Sequence, residues 1–204
     1  MNSEYRKKTF FFDRLAEEWD EHGYAASEVH RVIELIERSG IQPGWRVLEP
    51  GCGPGLITPL LADRAGSDGY VLALDISTVM VKHCQARTKD FPQVRVEHGA
   101  IEDLKGYRGE FDLVFCFNSF PHFCDRDRAL QVASECLKSS GKLVISHSNS
   151  RGRVNEIHRR AGGPVKRDLL PIPQALRKLV ESHGFKVIEL YDGHDSFFLS
   201  AEKK

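Results

Sequence analysis

No sign of charge prevails in this chain: 29 lysines and arginines are matched by 29 aspartates and glutamates over 204 residues. No overall field therefore draws it to nucleic acid or to an acidic membrane. No apolar run approaches the length that spans a bilayer, and the N-terminus lacks the apolar core of a signal peptide. There is no internal repeat and no low-complexity segment. The five cysteines, at 52, 84, 116, 124 and 136, are scattered and odd in number. That argues against a disulfide framework and predicts reduced thiols in a cytoplasmic protein. The nine histidines form no H-x-H or H-x-x-x-H pair, so no close spacing marks a metal site.

The most informative segment is Val47-Leu48-Glu49-Pro50-Gly51-Cys52-Gly53-Pro54-Gly55. A short apolar run ends in an acid, then in glycines at every second position, and the apolar stretch Leu56 to Ala65 follows. The pattern reads as strand, tight loop, helix. Glycines there let backbone approach a ligand without Cβ atoms in the way. A second apolar run, Tyr70-Val71-Leu72-Ala73-Leu74, ends in Asp75, 20 residues after Gly55. An acid at that strand tip can accept both hydroxyls of a ribose, which points to a nucleoside-bearing cofactor. The glycine spacing is G-x-G-x-G rather than the dinucleotide G-x-G-x-x-G. Glu49 beside the loop would repel a pyrophosphate and attract an amino group. An NAD-linked oxidoreductase is disfavoured on both grounds.

At these residues the chain resembles the class I S-adenosylmethionine-dependent methyltransferases, whose first motif V-L-E/D-x-G-C-G-x-G is matched throughout Val47 to Gly55. The resemblance runs from about Phe10 to the C-terminus. Tyr70 to Ser77, Glu110 to Phe123 and Gly141 to Ser146 resemble the family's second, fourth and fifth strands. It implies an α/β fold: a doubly wound, mostly parallel seven-stranded sheet with an antiparallel C-terminal hairpin strand. It also implies that Gly51, Gly53 and Gly55 line the methionine part of S-adenosylmethionine, with Glu49 near its amino group. Asp75 would hold the ribose, Ile76 would pack on the adenine, Ile101 and Glu102 would border it, and Asn118 would meet the amino group. Ala100 stands where the family often has an acid, which leaves Glu102, backbone or water to meet the adenine amine.

Periodicity predicts helices over Phe10–Asp20 and Ala25–Ser39, strands at Trp45–Glu49, Tyr70–Asp75, Val94–Glu97, Phe111–Phe117 and Lys142–His147, and helices over Leu56–Ala65, Ser77–Thr88, Asp125–Lys138 and Pro173–His183. Phe185–Tyr191 and Ser196–Glu202 read as a closing hairpin with a reversed strand at the sheet edge. The length suits one domain, residues 1–204. Two features stand outside the alternation: N-terminal helices within 10–39, carrying Phe10, Phe11, Phe12, Trp19 and Tyr24 as packed aromatics, and a basic, Gly/Pro-punctuated stretch at 148–172. Leaving the fifth strand's C-terminal end, that stretch reads as a lid or substrate-contacting segment. Its arginines 151, 153, 159 and 160 hint at an anionic acceptor.

The acceptor loop is Asn118-Ser119-Phe120-Pro121-His122-Phe123. It differs from the Asn/Asp-Pro-Pro-Tyr/Phe loop of base methylases, so a small molecule is the expected acceptor. His122 and His147 fall at the tips of the fourth and fifth strands, neighbours in this topology, and are the candidate catalytic bases. With His158 they form the alternative, a site for a metal or a metal- or metalloid-bound acceptor. A regulatory protein that binds S-adenosylmethionine without chemistry is the second alternative. A homodimer stays open.

Overall fold

The computed structural model describes residues 3–22 and 26–204, and side chains outside 17–27. Trp19 and Tyr24 lie outside the described side chains. Two helices, α1 (Ser3–His22) and α2 (Ala26–Arg38), lead into β1 (Arg46–Pro50), α3 (Thr58–Ala65), β2 (Tyr70–Asp75), α4 (Thr78–Arg87), β3 (Val94–His98) and β4 (Phe111–Phe117). There follow α5 (Arg126–Cys136), β5 (Leu137–His147), α6 (Arg151–Ala161), α7 (Pro173–Ser182), β6 (Phe185–Asp192) and β7 (Phe197–Lys203). One sheet holds seven strands in the order β3-β2-β1-β4-β5-β7-β6. The order reverses between β1 and β4, and ligands of open α/β sheets bind at such a point, beyond the strands' C-terminal ends.

Alternate residues along each central strand face opposite helical layers. Val47, Val71, Leu113, Phe115 and Val144 pack with Ile36 of α2 and Leu61 of α3. Their neighbours Leu48, Leu72, Val114 and Ile145 pack with Leu130 of α5 and Leu176 of α7. Burial on both faces explains why β4 is an almost unbroken apolar run. Local signals also held: Ser77 caps α4 by accepting from the Met80 N–H, and Asp125 caps α5 by accepting from the Arg128 N–H.

Several features differ from the pattern-based expectation. The reversed strand is β7, and it lies one place in from the edge, between β5 and β6. Of the hairpin, β6 is left at the rim, opposite β3 at the other edge, and β7 is the more buried strand. Strand β5 begins at Leu137, inside the expected helix, because fully buried Leu137 pairs with Phe111. Helix α1 begins at Ser3 rather than Phe10. Its first turns carry no apolar period and are instead held by polar partners described below. Within α1, Phe10 is 66% exposed, whereas Phe12 packs against Met80 and Val165. The 148–172 segment folds as α6, capped by Ser150, followed by a short return. Asn155 fixes the return: its amide donates to the Leu170 carbonyl (3.1 Å) and accepts from the Leu170 N–H (2.7 Å).

Candidate functional site

The strand tips around the β1/β4 reversal open into a cleft with about 630 Å³ of non-protein space, solvent included. Gly51 and Gly53 form its floor, Asp75, Ile76, Ala100, Ile101 and Glu102 one wall, and Asn118, Ser119, His122 and Phe123 the other. Tyr5 and Phe12 of α1 complete the lining.

The glycine loop owes its shape to two different needs. Gly51 has φ +74° and a Cβ there would stand 2.5 Å from Ser119 Cβ. This glycine lets the β1 loop touch the β4 loop. Gly53, at φ +56°, would send its Cβ into open space. Its N–H donates to Asp75 Oδ2 (2.9 Å), while Asp75 Oδ1 accepts from the Ser77 N–H (2.8 Å). Gly55 does not line the cleft; a Cβ on it would meet Cys84 of α4. Burial pushes the Asp75 carboxyl up to about 6, with the Ser77 and Gly53 N–H groups pulling the other way.

Behind the loop, Glu49 is 1% exposed, and its Oε2 has no hydrogen-bond partner. Burial, then the neighbouring Cys84 thiol, holds its carboxyl well above the usual range, against the Thr58 hydroxyl. Glu49 does not border the cleft, and burial favours its neutral carboxyl; an ammonium group brought against Oε2 would supply the missing partner and favour the anion. Glu102 is differently engaged. Its Oε1 accepts from the Cys124 N–H (3.0 Å) and its Oε2 from the Tyr5 hydroxyl (3.1 Å). The Asp125 N–H (3.3 Å) also donates to Oε1. Although Glu102 borders the cleft, both its oxygens are taken by the chain itself.

On the opposite wall, Asn118 adopts φ 51°, a left-handed conformation that asparagine tolerates. Its amide nitrogen donates to Ser148 Oγ (3.3 Å), and its Oδ1 accepts from the Ser148 N–H (3.2 Å), clasping the β4 and β5 tips together. A short turn, Phe120–His122, then presents His122 to the cleft. Nδ1 of His122 lies 2.8 Å from Asp168 Oδ2. A carboxylate can only accept, so Nδ1 carries the proton and Nε2 is left as the ring's acceptor. Burial lowers the pKa of His122, partly offset by Asp168.

His147 and His158 stand close to His122 but differ in role. The His158 Nδ1 hydrogen-bonds the Asp168 backbone carbonyl, and its ring centroid is 4.6 Å from that of His122. His147 is 1% exposed, does not border the cleft, and has no partner for Nε2. Burial, then His122 and His158, push it down to about 3. Among the described residues no three His, Cys, Asp or Glu side chains are grouped as metal ligands would be. The arginines of 148–172 are turned outward: Arg151 pairs with Asp192 (2.9 Å), and Arg153 (3.0 Å) and Arg160 with Glu156. None of them borders the cleft.

Sequence reasoning missed Asp168, Lys8, Tyr5 and Ser119. Lys8 is 1% exposed; its Nζ donates to Asp168 Oδ1 (2.9 Å) and to the His122 carbonyl (2.9 Å). Nothing local marked it: a lysine in a polar helix and an aspartate after Lys166-Arg167 both read as solvated charge.

These features define an S-adenosylmethionine-dependent methyltransferase fold. The family profile described as "Methyltransferase domain" matches residues 41–185, and the chain belongs to that family. A malonyl-[acyl-carrier protein] O-methyltransferase of Magnetococcus marinus is 36% identical over 134 residues, 61% of this chain and 47% of its own. A ubiquinone biosynthesis O-methyltransferase of Xanthomonas axonopodis pv. citri is 29% identical over 144 residues, 68% of this chain and 59% of its own. The chain thus spans about half the length of these curated relatives. Among solved structures, a SAM-dependent methyltransferase from Aquifex aeolicus superposes with TM-score 0.77 at 18% identity, over 94% of this chain and 98% of that one.

Two consequences are measurable in the unliganded protein. Gly51→Ala forces a Cβ into Ser119 on top of an unfavourable φ and is expected to cost about 2–4 kcal/mol. Gly53→Ala meets no atom and is expected to cost about 1 kcal/mol, from φ alone. Thermal unfolding of the two variants checks the order. His147 supplies the second. It stays neutral in the fold while the unfolded chain protonates it below 6.5, so stability present above that pH is lost as pH falls toward 3. Relative to His147→Leu, the wild type is expected to lose about 2 kcal/mol between pH 7.5 and pH 5, read from urea midpoints. An unchanged difference would mean that His147 titrates normally.

Proposed function

We propose that this chain transfers a methyl group from S-adenosylmethionine to a small-molecule acceptor whose proton His122 removes. The observation that carries the reading is the shared cleft: Asp75 and Gly53 on one side and His122 on the other border the same space, with Asp168 holding His122 from behind. The cofactor suits the residues present. Gly53 leaves room for a ligand at its missing Cβ, and Glu49 offers an unpartnered oxygen for an ammonium. Asp75 sits where ribose hydroxyls can donate to it. Bound there, the cofactor supplies an electrophilic methyl on a sulfonium.

The chain's own task is to hold the acceptor in line and take its proton. His122 is suited to this because Asp168 keeps Nδ1 protonated and Nε2 free, and because burial keeps the ring neutral near pH 7. Phe12 meets the His122 ring edge-on (5.1 Å) and helps to keep water from it. With Arg151, Arg153 and Arg160 paired outside, the lining favours a neutral acceptor bearing a hydroxyl or amine over an anionic one. Calorimetry with S-adenosylhomocysteine, followed by incorporation of labelled methyl groups into a small-molecule extract, tests the proposal. Binding with no methylated product from any extract would favour a regulatory protein instead, and no binding would end the reading altogether.

A further inference from the structure

Helix α1 lies across the cleft and is tied to it by side chains of three kinds. Tyr5 donates to Glu102, Asp13 accepts from the Ser77 hydroxyl at the start of α4, and Phe12 packs against Met80 of α4. Lys8 makes the fourth tie and is the least expected. A lysine so deeply buried is stable only with its charge paired and its protons used. Lys8 Nζ reaches two acceptors on two other segments: Asp168 Oδ1 on the return after α6, and the carbonyl of His122 itself. Asp168 in turn spends its second oxygen on His122 Nδ1. The chain Lys8–Asp168–His122 therefore runs from the covering helix to the proposed base, with both Asp168 carboxylate oxygens engaged.

We propose that Lys8 is a positioning residue, which fixes the Asp168 carboxylate and through it the orientation and tautomer of His122, so that the base is assembled only when α1 is seated over the cleft. The inference rests on His122 being the base. Without Lys8, the Asp168 carboxylate keeps one partner fewer and is free to rotate, and His122 loses a carbonyl anchor. Opening of α1 would break the same contacts. The base would then be disarmed whenever the cleft is open to water.

The readout is the ¹⁵N-imidazole spectrum of His122, assigned with His122→Gln, in protein saturated with S-adenosylhomocysteine. The groups that act on this ring are Asp168, Lys8, Arg126, His158 and His147. In the wild type a single neutral tautomer, protonated at Nδ1, is expected. In Lys8→Met the two nitrogen shifts are expected to move toward each other as tautomers mix, and the ring to titrate at higher pH once the cation is gone. Should Lys8→Met fail to fold, Lys8→Gln, uncharged with a similar donor, is expected to give the same direction of change. Tyr5→Phe removes a different tie of α1 and is expected to leave the tautomer as in the wild type. Wild-type shifts in Lys8→Met or Lys8→Gln would overturn the proposal, as would an equal change in Tyr5→Phe, which would reduce Lys8 to general packing. A wild-type ring protonated at Nε2 would overturn the base itself and this inference with it, a result distinct from both.

Discussion

Asp75→Asn is expected to bind S-adenosylhomocysteine about 100-fold more weakly than the wild type. The carboxylate is 8% exposed, and its two oxygens already order the cleft by accepting from the Gly53 and Ser77 N–H groups. Hydrogen bonds to a charged acceptor contribute about 1.5–3 kcal/mol each, and two ribose hydroxyls would add two of them. An amide offers a single acceptor and turns an NH2 toward one of those N–H donors. A loss of about 3 kcal/mol corresponds to the stated factor. The pH dependence adds a second, independent check. Ribose hydroxyls donate to the anion, so affinity should be full above the carboxyl's value of about 6 and fall about tenfold per unit below it. Titration calorimetry between pH 5 and 8 should show this slope in the wild type and none in Asp75→Asn. Equal affinities would remove the ribose assignment and, with it, the cofactor reading.

His122→Gln is expected to lower kcat by about 10²–10⁴-fold, the usual contribution of a placed general base. Glutamine keeps much of the side chain's volume and polarity but cannot take a proton. Affinity for S-adenosylhomocysteine should change far less, because Asp75 and Gly53, the residues proposed to hold the nucleoside, lie on the other side of the cleft. Asp168→Asn should show a smaller loss of activity, since an amide oxygen can still accept from Nδ1–H. Wild-type kcat should rise with pH through a value below the ordinary 6.5 of histidine, then level off, because burial depresses the ring and only the neutral form is a base. Labelled-methyl transfer from S-adenosylmethionine measures both variants. A His122→Gln enzyme of wild-type rate would leave acceptor positioning, not proton removal, as the chemistry of this wall.

How much of this was legible before folding differs residue by residue. The loop between β1 and α3 and the acid ending β2 are local patterns, and they fall where periodicity put them. The extra start of β5 was not legible, because Leu137 continues a helical pattern until Phe111 offers it a pairing partner. Gly55 reads like its two companions yet packs against Cys84. Glu102 reads as an available acid, but its oxygens are consumed by Tyr5 and by the backbone entering α5. The pairing of Arg151 with a residue 41 positions away could not be read from local sequence.

The sequence by itself determined the strand–loop–helix cradle, the acid that ends β2 at the cleft, and the family. Each depends on residues adjacent in the chain, where glycine freedom and alternating burial act directly. Only the tertiary structure decided which histidine faces the cleft and what holds it. Lys8 and Asp168 are 160 residues apart, and Asp168 and His122 are 46 apart. A buried charge has no local signature. It is tolerated only where the fold brings a partner to it, and that meeting is fixed by packing, not by spacing.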